Sequence, residues 1–144
     1  MRGVHPTRID PKTLAAFRAT HYCVAAEPPI VLRIDEPNAR LAALHAVHGV
    51  ACSAFVTACN PGSIDVGAAQ NAPRMAALHA ELRAAGVPFV PGEGRHPSNG
   101  WPPEASVLAL GLDRAAARAL GSRHGQDAIV WCGADAVPRL ELLR

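Results

Sequence analysis

The chain has 144 residues, enough for one domain with a real core, and 49% of them are apolar but only 4% aromatic, so that core must be mostly Ala, Leu and Val. The formal net charge is +2, with scattered Arg and no dense basic run, which argues against a nucleic-acid-binding face. No apolar run reaches the ~20 residues of a membrane span, and the opening MRGVHPTRIDPK lacks the apolar stretch of a signal peptide. The expectation is a single cytoplasmic domain over residues 1–144, with neither nucleic acid nor membrane as partner.

Asp10-Pro11 opens the first predicted helix, with Asp as N-cap and Pro in the first turn. It carries Leu14 and Phe17, and extends its apolar side towards Tyr22. IVLRID, 30–35, reads as a short strand. Pro37 blocks its continuation, and Asn38 caps a helix through about His48, with Leu41, Leu44 and Val47 at helical spacing. Gly49 ends that helix, and VACSAFVTA, 50–58, follows as a buried strand.

A helix is predicted within 64–85, with Met75, Leu78 and Leu82 as its apolar stripe. Pro73 requires either a fresh start at Asn71 or a kink. VPFV, 87–90, is a strand whose Pro88 suggests an edge. PGEGRHPSNGWPP, 91–103, reads as a loop, and ASVLALGL as the next strand. Asp113 caps an Ala-rich helix ending at Gly121. DAIVWCG, 127–133, is a buried strand, and RLELL, 139–143, a final edge strand. The order predicts an α+β domain: a sandwich of helices on a mixed parallel/antiparallel sheet.

Helix crossovers return successive strands in the same direction. The strands near 30, 50 and 87 therefore end on one rim, and those near 105 and 128 begin there. Thr57, Asn60, Ser63, Trp101, Glu104, Ser106 and Gln126 fall at those ends, with Asp35 and Glu36 after the first strand. Rims of this kind favour ligands. Turn-forming polar residues without a ligand would give the same pattern.

Each chemical motif has a plainer alternative. The turn Asn60-Pro61-Gly62-Ser63 offers main-chain N–H groups that could cradle a phosphate or carboxylate, yet it lacks the Walker spacing and Lys; Ser63 as a helix cap is the simpler reading. Glu104 could serve as acid or base, or accept a fixed bond from Arg74, Arg95 or the Trp101 indole. His96 with Ser63 or Ser106 and Glu104 could form a hydrolytic triad, but no nucleophile elbow is present. His45 and His48 lack an evident third metal ligand, so neither a metal nor a cofactor is assigned. Cys59 is a conceivable nucleophile. For Cys52, Cys59 and Cys132, buried and inert thiols are the simpler reading.

FVTACNPGS, QNAPRMAALHAELRAAG, GWPPEASVLALGL and GQDAIVW together resemble the domain-of-unknown-function family 3293, small bacterial proteins, over about residues 18–142. The family pattern maps onto Thr57, Ala58, Asn60, Pro61, Asn71, Arg74, Trp101, Glu104, Ser106, Gly125, Gln126 and Ala128. Cys59 stands where an aromatic is common, and Asp127 where Asn is common. The resemblance implies no activity.

The resulting expectation is a protein that binds a small polar or anionic molecule at the rim. Thr57, Asn60, Ser63, Asn71, Arg74, Trp101, Ser106 and Gln126 would bind it, with Arg74 as anion partner and Trp101 as stacking wall. Glu104 would be the acid or base should a reaction occur; whether the protein is an enzyme stays open. The alternative is a non-catalytic interaction or regulatory module, dimerising through edge strands at 87–90 and 138–143.

Overall fold

A computed structural model describes residues 7–144. Its order is α1 (Pro11–Ala19), β1 (His21–Val24), β2 (Ile30–Leu32), α2 (Ala39–Val47), β3 (Ser53–Val56), α3 (Ala68–Ala84), β4 (Phe89–Arg95), β5 (Glu104–Leu110), α4 (Arg114–Arg123), β6 (Ala128–Cys132) and β7 (Pro138–Leu142), with a short 3₁₀ turn at Pro61–Ser63. The strands form one seven-stranded sheet in the order β2-β1-β4-β5-β3-β6-β7.

Every neighbouring pair in that sheet is antiparallel. The expected mixed parallel/antiparallel sheet is therefore wrong, although the chain remains α+β. The reason lies in where the crossovers land. β2, β3 and β4 do run the same way, and β5 and β6 the opposite way. But each crossover skips at least one position: β1, β4 and β5 lie between β2 and β3, β5 lies between β3 and β4, and β3 lies between β5 and β6. A helix connection sets direction without making its two strands neighbours.

A second correction concerns β1. Tyr22 belongs to this four-residue strand and not to the α1 stripe. HYCV is too short, between a helix and the EPP turn, to give a period-2 signal. Pairing with β1 also extends β4 through Arg95 and makes it interior, so 87–90 is not an edge and the first part of the loop expected at 91–103, through Arg95, is strand. Gly92 permits this: a Cβ there would lie 2.7 Å from the Cys23 carbonyl and 2.8 Å from the Phe55 ring. The sheet's edges are β2 and β7.

Local signals read well elsewhere. Asp10 accepts from the Lys12 N–H, Asn38 from Leu41 and Asp113 from Ala116, each capping the helix it precedes. α3 instead starts at Ala68 behind Gly67, with Pro73 inside it.

Alternation along the strands sorts side chains to two faces. One face carries Ala54, Val56, Val107, Ala109 and Ile129, packed under Met75, Leu78 and Leu82 of α3 and Ala117 and Leu120 of α4. The other carries Tyr22, Val24, Phe55, Leu108, Leu110, Val130 and Cys132, packed with Leu41 of α2. Val47, expected in that stripe, is exposed.

Candidate functional site

The second face is covered unevenly. Along β5 its residues are Glu104, Ser106, Leu108 and Leu110, polar where the strand starts and apolar towards α2. Gly94 and Gly92 of β4 stand opposite Glu104 and Ser106, so no side chain rises beside them. α1 lies over this polar end without burying any of its own residues. The result is a cleft of about 260 Å³.

The sheet forms its floor with Tyr22, Phe55, Thr57, Ser106 and Val130. Phe17 and Thr20 stand on the α1 side, His96 and Trp101 on the β4–β5 loop. Asn60, Ser63, Glu104 and Gln126 close its end.

Among the described residues, Glu104 is the only acidic side chain on this lining. Its Oε2 accepts from Asn60 Nδ2 at 2.7 Å and from the Trp101 indole at 3.0 Å. Its Oε1 has no hydrogen-bond partner among the described residues and is not sealed from solvent.

Asn60 is held from behind. It adopts a left-handed conformation (φ 50°, ψ 59°), which Asn tolerates better than most residues because its amide bonds locally. Its N–H donates to Asn71 Oδ1 at 2.8 Å, while its Oδ1 accepts from Asn71 Nδ2 at 2.9 Å and from the Val66 N–H at 3.1 Å. Those two donors fix the amide orientation, which aims Nδ2 at Glu104.

Gln126 is clamped in the same way. Its Nε2 donates to the Cys59 carbonyl at 3.0 Å and the His124 carbonyl at 3.2 Å, which leaves Oε1 without a partner among the described residues. The preceding Gly125 has positive φ and packs against Pro61, where an added Cβ would come within 2.9 Å. Glu104 and Gln126 are thus tied to the consecutive residues Asn60 and Cys59.

Several sequence expectations change at this site. Arg74 is exposed on α3 and lines a separate shallow depression with Pro61, Arg123 and His124; it does not reach the cleft. Asn71 supports Asn60 and is not part of the cleft lining. The turn at 60–63 is no anion cradle, because the Gly62 N–H donates to Gly125 O at 2.8 Å and the Ser63 N–H to Asn60 O at 2.9 Å. Nor does Ser63 cap a helix; its hydroxyl donates to Asp127 at 2.7 Å, whose other oxygen holds Arg144. Asp35 bonds the Pro138 carbonyl, and it and Glu36 lie off the cleft lining.

The hydrolytic triad is not assembled. His96 Nδ1 accepts the N–H groups of Ser98 and Asn99, and Ser106 donates to the Glu104 carbonyl. Arg95 pairs with Glu93 instead of Glu104. Cys59 is 4% exposed, and burial above all pushes its thiol up from the ordinary value, which suits an inert thiol. Burial likewise pushes Cys132 up to about 12. His45 is buried, with Nε2 2.7 Å from Ser53 Oγ.

Sequence reasoning missed the α1 wall and the aromatic floor. Lys12, Thr13, Phe17 and Thr20 look like ordinary helix-surface residues, and Tyr22 and Phe55 like core. Burial above all, with the Glu104 charge adding to it, pushes the Tyr22 hydroxyl well above the usual phenol range; the group donates to the Phe17 carbonyl at 2.7 Å, and its ring meets Phe55 edge-on at 5.3 Å. No described helix is long and apolar enough to cross a membrane.

Residues 56–129 match the family described as "Protein of unknown function (DUF3293)". That is just over half of the 144-residue chain, so the chain belongs to this family. The matched span contains the Asn60–Asn71–Glu104–Trp101 network and the Gly125-Gln126 clamp. No curated protein and no solved structure matches the chain.

Proposed function

We propose that this member of the family binds a small polar molecule in the cleft between α1 and the polar end of the sheet. The observation that carries the reading is the half-engaged carboxylate of Glu104. One oxygen is fixed by Asn60 and Trp101 while the other is left for a ligand. A carboxylate held this way is oriented before the ligand arrives, which reduces the ordering cost of binding. It is also the group that would exchange a proton with a bound molecule if the protein is an enzyme. The aromatic floor favours a ligand with a flat apolar part beside its polar group. Arg74 has no place in this reading, and the anionic class loses its expected cation.

A thermal-shift screen tests the proposal, using amino acids, amines, nucleosides, sugars and short carboxylic acids on the parent, Glu104→Gln and Arg74→Ala. A ligand at about a hundred times its Kd stabilises by about 2.7 kcal/mol. The expected result is a compound that raises the melting temperature of the parent and Arg74→Ala alike and of Glu104→Gln much less. A compound that depends on Arg74 and not on Glu104 would move the site to the α3 depression. No shift in any class would end the proposal.

A further inference from the structure

The cleft's polar groups are sorted by what they can still do. The Ser106 hydroxyl gives its proton to the Glu104 carbonyl, Thr57 to Ala105, Thr20 to Ala16 and Tyr22 to Phe17. Ser63 gives its proton to the Asp127 carboxylate. A carbonyl or carboxylate oxygen can only accept, so these proton positions follow from the partners. Each hydroxyl has one hydrogen, and it is already committed; what remains for a ligand is lone pairs.

The side-chain amide and carboxylate follow suit. Gln126 spends Nε2 on two carbonyls and leaves Oε1, and Glu104 leaves Oε1. The Trp101 N–H is consumed by Glu104. Asn60 retains one amide hydrogen, directly beside that carboxylate. Donors without a partner among the described residues lie on α1, at Lys12 and Thr13, and on the β4–β5 loop, at His96 and Asn99. With Nδ1 accepting two N–H groups, His96 carries its proton on Nε2.

From this sorting we infer that the cleft takes a small cationic amine: an ammonium group donating to the Oε1 atoms of Glu104 and Gln126, with an apolar body over Phe17, Tyr22 and Phe55. At the Glu104–Gln126 end an anion would meet a carboxylate and oxygens that have no hydrogen to offer, while the one cation on the lining among the described residues, Lys12, stands on α1. A neutral alcohol could use one acceptor at a time. An ammonium supplies three donors and opposite charge, and its hydrogen bonds to a carboxylate are the stronger kind.

The inference rests on the cleft being a binding site, and three probes separate its failure from the failure of that reading. Benzylamine, benzyl alcohol and benzoate share one ring and differ in head group. They are titrated into the isotopically labelled full chain while the Trp101 indole N–H and Asn60 amide resonances are followed. Benzylamine should bind about tenfold more tightly than either relative, because a charge-assisted hydrogen bond is roughly twice as strong as a neutral one. In Glu104→Gln the preference should fall to within about twofold, while Arg74→Ala keeps it. Benzoate or benzyl alcohol binding as well as the amine would overturn the amine assignment while the cleft reading stands. None of the three moving the Trp101 and Asn60 signals would overturn both. The ranking on the parent chain decides the question even if Glu104→Gln fails to fold.

Discussion

The two faces of the sheet are made from alternate residues of the same strands, yet they behave differently. On one, Ala54, Val56, Val107 and Ala109 lie under α3 and α4, whose Met75, Leu78, Leu82, Ala117 and Leu120 are all buried. On the other, α2 covers the apolar half through Leu41, while α1 buries none of its residues over the polar half. The same backbone therefore supports a packed core on one side and a cleft on the other. What separates them is the identity of a few residues at the strand ends: Glu104 and Ser106 on β5 with Gly92 and Gly94 opposite. A polar pair facing two glycines leaves volume that no helix side chain fills. The face under α3 and α4 is packed throughout, whereas the other is packed under α2 and keeps a cleft at its polar end.

This contrast can be broken first where packing is densest. Leu78 has no exposed surface, and Leu78→Ala should cost about 2–5 kcal/mol through lost transfer energy and a residual cavity. Chemical denaturation would measure it. A loss below about 1 kcal/mol would mean that the α3 face is looser than the structure shows.

Gly92 tests the boundary between the two halves of the cleft face. Its added methyl would press on the Cys23 carbonyl and the Phe55 ring at 2.7 and 2.8 Å. Gly92→Ala should therefore destabilise by about 1–3 kcal/mol, the usual range for overpacking. It should also shift the Phe55 and Tyr22 ring signals in an NMR spectrum. An unperturbed variant would show that β4 does not press against the floor at this point.

The smallest effect is a pH dependence at the α2 end. His45 is buried against Ser53, and burial lowers its pKa from the ordinary 6.5. The unfolded chain therefore binds the proton more readily than the folded one. The contribution is complete above about pH 6.5 and is lost as pH falls towards the lowered folded value. Denaturation midpoints of the parent should decline over that interval, and His45→Gln should flatten the decline. Parallel curves for the two proteins would remove His45 as the cause.

The sequence by itself determined the local pieces. Asp10, Asn38 and Asp113 announce three helices through caps that form as read, and Met75, Leu78 and Leu82 mark the buried stripe of α3. Strand directions followed from the crossovers, and the polar residues at the strand ends pointed to one rim where Thr57, Asn60, Ser63, Trp101, Glu104, Ser106 and Gln126 do line one cleft. These features depend on neighbours a few residues away, so short windows carry them.

Only the tertiary structure decided which strands are neighbours. A crossover specifies direction but not how many positions it skips, so the all-antiparallel order and the interior place of β4 were out of reach. The same holds for Arg74: a helix can present it to several surroundings, and the turn of α3 that aims Asn71 at Asn60 leaves Arg74 on the depression outside the cleft. It holds for the α1 wall too, because only long-range packing brings Phe17 and Lys12 over β1 and β5. Pairing and placement at that distance are set by the whole core, and no short stretch of the chain contains that information.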